Sequence, residues 1–151
     1  MNNDKIIFNT YNMIVYNLNK EILEIIELNK ITDEYNLVLS KKQIVDLINN
    51  KNNTLKEIGR IEFNNEIIKK IIYNFYDSPY IDKEEYLNIL KELINIFYIY
   101  RDNFDFILSD DQIIKYMRIK FNNYCNGSLD LLLYNELEYL KNNLTEIINE
   151  L

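Results

Sequence analysis

The side chains able to do chemistry in this chain are its acids, its lysines and arginines, thirteen tyrosines and a single cysteine; histidine and tryptophan are missing. Without imidazole there is no Ser-His-Asp or Cys-His nucleophile and no histidine-ligated metal. One thiol, Cys125, makes neither an internal disulfide nor a thiolate zinc site. Gly59 and Gly127 are too few for a phosphate-cradling loop. What remains is carboxylate chemistry, guanidinium binding and the phenol.

Arg60 and Glu62 precede an apolar helical stretch of about twelve residues, and Asp77 and Tyr80 follow it. Together they suit a small-ligand pocket in which Arg60 grips a carboxylate or phosphate, with Glu62 or Asp77 orienting its forked guanidinium. A helix of that length holds its ends roughly 18 Å apart, so the four meet only if the chain folds back. Structural ion pairing at helix ends is the favoured reading. The acid pairs Glu24/Glu27, Glu84/Glu85, Asp110/Asp111 and Glu136/Glu138 lie on polar helix faces or in first turns, where solvation and the helix dipole account for them. Between Asp102 and Asp111, Phe104 and Ile107 stand where a calcium loop needs a ligand or glycine. A di-metal bundle would bring Glu-x-x-His. No catalytic residue, metal or cofactor is assigned, and Cys125 reads as a small buried filler.

The elements that carry these residues follow from the apolar period, which is helical almost throughout. Ile7, Tyr11, Ile14, Leu18, Ile22 and Ile25 predict a first helix from about Lys5 to Leu28. Residues 29–39 break the period, and Tyr35 to Leu39 suits extended backbone. Ser40 with Gln43 is a capping box opening a second helix, and Gly59 suits its left-handed end. Asn49, Asn50, Asn52 and Asn53 are weak helix formers and allow a bend inside it. A third helix carries Ile67, Ile68, Ile71, Ile72, Phe75 and Tyr76 and stops before Pro79. Asp82 with Glu85 opens a fourth over residues 83–103. Ser109 with Gln112 opens a fifth, with Ile113, Ile114, Met117, Phe121 and Tyr124 on its core face. Asn126-Gly127 closes it, and Ser128 caps the last helix. There Leu133, Leu137, Leu140, Leu144, Ile147 and Leu151 alternate four and three apart, the seam of a coiled coil. The expected fold is all-α, a compact bundle of about six helices forming a single domain, 1–151.

Residues 1–60 balance acid and base, so the net charge of −7 lies entirely in 61–151. Such a surface repels phosphate backbones, and nucleic acid is not expected as a partner. The first residues lack the basic start and apolar stretch of a secretory signal. Apolar runs stop at about five residues, far short of the roughly 20 that span a bilayer, so no membrane partner is expected either. A lone thiol suits a reducing compartment, which makes the cytoplasm the expected location.

Several ordered motifs carry a resemblance: Leu37-Val38-Leu39-Ser40, Leu55-Lys56-Glu57-Ile58-Gly59-Arg60-Ile61-Glu62-Phe63, Asp77-Ser78-Pro79-Tyr80-Ile81, Ile96-Phe97-Tyr98, Leu108-Ser109-Asp110-Asp111 and Cys125-Asn126-Gly127-Ser128-Leu129. Over about Leu28 to Leu140 the chain resembles a family of bacterial proteins defined by a domain of unknown function. Asn36 stands where that family carries glycine, and asparagine also tolerates the left-handed turn. The resemblance implies a bacterial cytoplasmic protein and transfers no activity, ligand or partner.

The expected role is a non-enzymatic protein–protein interaction module. It would act through the acidic terminal helix (Glu136, Glu138, Glu146) on a protein partner or a second copy, while the leucine stripe beneath packs on the domain's own core. The alternative is a small-ligand or metal-dependent enzyme using Arg60, Glu62, Asp77 and Tyr80.

Overall fold

Two serines open two of the long helices in the structure, a computed structural model that describes residues 18–151. Helix α1 occupies residues 18–27; the expected start near Lys5 lies outside the described residues. A single turn, α2 (Asn29–Thr32), and a 3-10 turn (Asp33–Tyr35) follow it. Helix α3 runs Lys41–Glu57, α4 Glu66–Phe75, α5 Tyr86–Asn103 and α6 Asp110–Asn123. The chain ends in α7 (Glu136–Asn142) and α8 (Leu144–Ile148). The fold is all-α, with no strand among the described residues.

The capping boxes form as the spacing predicts. Ser40 Oγ accepts from Gln43 N and Ser109 Oγ from Gln112 N, and each glutamine returns a bond to the serine N–H. At the far end of α3, Gly59 takes φ 70°, Gly59 N donates to Lys56 O and Arg60 N to Leu55 O, a Schellman closure. Helix α3 passes through its asparagines unbroken. Asn50 is held from outside: its amide donates to Lys91 O and to Asn95 Oδ1 on α5.

Helix α5 is the centre, packed by α3, α4 and α6. Its buried side chains cover more than half of its circumference, Leu90, Leu93, Ile94, Ile96, Phe97, Tyr98 and Tyr100, and leave Asn88, Glu92 and Asp102 exposed on the remaining face. That explains a run rich in β-prone residues that is nonetheless helical, because so wide a buried face takes β-branched and aromatic side chains at most positions of each turn. Phe75 and Phe121 meet edge to face at 5.5 Å where α4 crosses α6.

Four expectations need correction. Tyr35 to Leu39 is not one extended run: Tyr35 is in the 3-10 turn, Asn36 turns left-handed at φ 58°, and only Leu37 and Leu39 then bury. The Asn29 side chain holds that segment, donating to Leu39 O and accepting from Leu39 N. Asp82 caps a 3-10 turn (Lys83–Glu85) through Glu84 N, so α5 itself starts at Tyr86. Tyr124 is exposed, with Lys120 Nζ over its ring at 3.9 Å, rather than in the core. The final helix is not one rod. A π-turn (Leu131–Asn135) precedes α7, and the chain breaks again at Asn143. Widening the helix by a residue rotates Leu132, not Leu133, fully into the core. Leu137, Leu140 and Ile147 stay buried against the domain's own core.

The two glycines give a paired test. Both sit at positive φ, but a β-carbon at Gly59 meets open space, whereas at Gly127 it would lie 2.5 Å from Tyr80 Cβ. Gly59→Ala should cost about 1 kcal/mol, the left-handed penalty alone, and Gly127→Ala about 2 kcal/mol or more. Urea midpoints measure both, and equal losses would show that Tyr80 moves aside freely.

Candidate functional site

The connector of residues 58–65 between α3 and α4 carries the most unusual pattern in the molecule. From Arg60 to Phe63 the charged side chains turn in and the apolar ones turn out. Arg60 pairs with Asp105 and, at 3.5 Å, with Asp102. Glu62 accepts the Tyr98 phenol at 2.7 Å and pairs with Arg101, which also reaches Asp110 at 3.6 Å. Between and beyond them Ile61 is 78% exposed and Phe63 94%. This alternation reverses the usual hydrophobic-in order of an extended segment.

These ion pairs clamp the connector against the one that joins α5 to α6. That second connector also presents apolar side chains: Phe106 is fully exposed and Ile107 half exposed. Phe106 adopts φ 65°, the left-handed region. The turn is closed by Ile107 N and Leu108 N donating to Phe104 O, with Phe104 itself buried.

Beside the first connector lies a cleft of about 770 Å³ between α1 and α3. Leu18, Ile48, Leu55, Ile61 and Phe63 supply apolar walls; Glu21, Lys51, Arg60 and Glu62 also line it. Lys51 is 1% exposed, and its Nζ donates to Asn64 O at 2.5 Å and Asn65 Oδ1 at 2.6 Å. Burial pulls its pKa below the usual lysine value, against the opposing pull of Glu62 and Glu21. Sequence reasoning passed over Lys51 because it sits among asparagines. The signal was its position: four residues from both Leu47 and Leu55, on the buried stripe of α3. A smaller hollow of about 350 Å³ lies where the 3-10 turn before α5 meets residues 33–38, with the buried Tyr86 hydroxyl lacking a partner among the described residues.

The four residues considered as one pocket are divided. Arg60 and Glu62 line the cleft. Asp77 and Tyr80 lie on the connector after α4, where Asp77 pairs with Arg118 at 3.6 Å and the Tyr80 hydroxyl donates to Asn126 Oδ1 at 3.1 Å. Of the terminal acids, Glu136 turns inward: it stands 3.7 Å from Lys120, and its carbonyl accepts the Tyr116 phenol at 2.7 Å. Glu138 meets Lys141 at 3.5 Å on the surface, and Glu146 is exposed. The remaining acid pairs mostly meet bases one by one, as in Glu24–Lys69 at 2.9 Å and Asp111–Lys70 at 2.8 Å. Among the described residues no three acids or thiols gather as metal ligands. Cys125 is buried, and desolvation with the nearby Glu136 pushes its thiol up to about 11.

Two measurements follow from this arrangement. Glu62→Leu strips an acceptor from both Tyr98 and Arg101 and should lower stability by about 2–3 kcal/mol, whereas Asp77→Asn, at a half-exposed pair, should lose under about 1 kcal/mol. Equal urea midpoints for the two variants would show that the clamp does not hold the connectors. At pH 8 iodoacetamide should label Cys125 roughly 100-fold more slowly in the folded protein than in urea, because the thiolate fraction falls tenfold for each unit of raised pKa. Equal rates would contradict the burial.

Comparison with known proteins adds a family and no activity. No curated protein and no solved structure matches the chain. A family model described as a family of unknown function, DUF6323, matches residues 24–150, which takes in α1 from its second turn, beyond the cleft-lining Leu18 and Glu21, both connectors and the terminal helices. The chain therefore belongs to the DUF6323 family of unknown function.

Proposed function

We propose that this protein is a non-enzymatic interaction module whose paired connectors dock a protein segment bearing both apolar and basic side chains. The observation that carries the reading is Phe106, fully exposed at φ 65°. A β-carbon in the left-handed region costs roughly 1–2 kcal/mol, and a phenyl ring in water recovers none of it by burial. Asparagine or glycine would make the same turn without either loss. Ile107, Ile61 and Phe63 are held out on the same two connectors, and the ion pairs order them before any partner arrives. The four aspartates of residues 102–111 already meet Arg60, Arg101 and Lys70, so the support for a basic partner is the net charge of −7 that residues 61–151 carry.

A non-enzymatic role agrees with the state of the reactive groups. Arg60 and Glu62 are occupied by protein partners, and burial raises the Tyr98, Tyr100 and Tyr116 phenols and holds them protonated. The docking face replaces the terminal acids as the leading surface, since Glu136 faces inward. The reading includes a single domain acting as one unit. The lone buried thiol and the family resemblance support a place in the bacterial cytoplasm.

Panning a library of short random peptides on the immobilised protein tests it. Enriched peptides should combine aromatic or aliphatic residues with lysine or arginine. They should bind Phe106→Asn at least about tenfold more weakly, while that variant unfolds at the same or higher urea concentration. Glu138→Lys and Glu146→Lys should leave their binding unchanged. No enrichment, or peptides that bind Phe106→Asn as well as the parent, would overturn the proposal. A concentration-dependent dimer abolished by Phe106→Asn would put a second copy in place of the basic partner.

A further inference from the structure

We propose that the cleft between α1, α3 and the α3–α4 connector is a binding site for an uncharged amphiphile, a straight apolar chain ending in a primary amide or hydroxyl, with the head group between Glu21 and Lys51. The site is independent of the docking reading, although Ile61 and Phe63 border both.

Volume and walls define the body of the ligand. About 770 Å³ lies in the range of small-molecule pockets, and Leu18, Ile48, Leu55, Ile61 and Phe63 make its lining mainly apolar. The polar groups define the head. Arg60 and Glu62 line the cleft but are already engaged, Arg60 by Asp105 and Asp102, Glu62 by Tyr98 and Arg101. Asn49, Asn52 and Lys56 line the cleft as exposed side chains, and two buried capacities are left. Glu21 Oε2 is buried and has no hydrogen-bond partner among the described residues. Lys51 is buried with two of its three N–H donors accounted for, by Asn64 O and Asn65 Oδ1. A buried carboxylate oxygen without a donor is costly, so a ligand that supplies one gains what the apolar walls cannot give.

Charge then selects among head groups. Glu21 is close enough to Lys51 to act on it electrostatically, and both line the cleft. An alkylammonium head would satisfy Glu21 and be repelled by Lys51; a carboxylate head would satisfy Lys51 and be repelled by Glu21. A primary amide or a hydroxyl donates to the first and accepts from the second without net charge. The site should therefore prefer the neutral head over either ion of the same chain length.

The probes are octanamide, octanoate and octylamine, titrated into the isotopically labelled full chain and followed by amide NMR shifts. Octanamide should shift the amides of Lys51, Leu55 and Ile61 and bind at least about tenfold more tightly than the two ions. In Glu21→Gln the repulsion of a carboxylate is gone, so octanoate should gain about tenfold relative to octanamide. Phe106→Asn should leave octanamide binding unchanged, which separates this site from the docking face. Equal binding of all three compounds would reduce the cleft to a greasy groove without head-group recognition. Absence of binding, or an unchanged ranking in Glu21→Gln, would overturn the proposal.

Discussion

A helix must find hydrogen-bond partners inside the molecule for the polar atoms on its buried face, and α5 carries two phenols there, near its C-terminal end. Tyr98 and Tyr100 are fully buried. Leaving either hydroxyl without an acceptor would cost about 1–3 kcal/mol, a large share of the stability of a domain this size. Tyr98 finds Glu62, and Tyr100 finds Leu132 O at 2.6 Å in the π-turn. A third phenol, Tyr116 of α6, finds the carbonyl of Glu136 where α7 begins. Through these three bonds the irregular parts of the chain are tied to the regular ones.

The first bond explains the inverted connector. Because Glu62 must reach Tyr98, its neighbours one residue away point the other way, and these are Ile61 and Phe63. Lys51 secures the same segment from the opposite flank, through Asn64 and Asn65, and Arg60 secures it through Asp105. A connector with no helix or sheet of its own is thus fixed at four successive points. Its apolar side chains are exposed by the same requirement that buries its charged ones, so their exposure is part of the architecture and not a loose loop.

Local signals were legible in the sequence and long-range ones were not. Ser40-Gln43, Ser109-Gln112 and Gly59 act within a few residues, and each forms as its spacing demands. Arg60 and Glu62 stand out by type, yet their partners Asp105, Arg101 and Tyr98 lie some forty residues on, and no local rule pairs them. The terminal helix misled for a different reason. A strict four-three leucine rhythm describes a straight helix, but Ser128-capped residues enter it through a π-turn that shifts the register by one residue. Lys51 was legible in principle: a charge at a stripe position is the sequence mark of a buried ion, obscured here by four polar neighbours that face outward or sideways.

The docking face and the cleft are separate in chemistry but share a border. Ile61 and Phe63 line the cleft and also stand among the exposed side chains of the paired connectors. A chain in the cleft covers apolar area that a docked segment would otherwise cover, or else extends the surface that segment meets. In either case each occupant alters the affinity of the other by the same factor, because linkage between two binding events is reciprocal. The sign depends on which way the two side chains lean once the cleft is filled. The size is bounded by the area of two residues, at roughly 25 cal/mol for each Å² of apolar surface transferred. The connector clamp sets that bound: as long as Glu62 and Arg60 keep their partners, the backbone beneath Ile61 and Phe63 stays in place and only the side chains can answer.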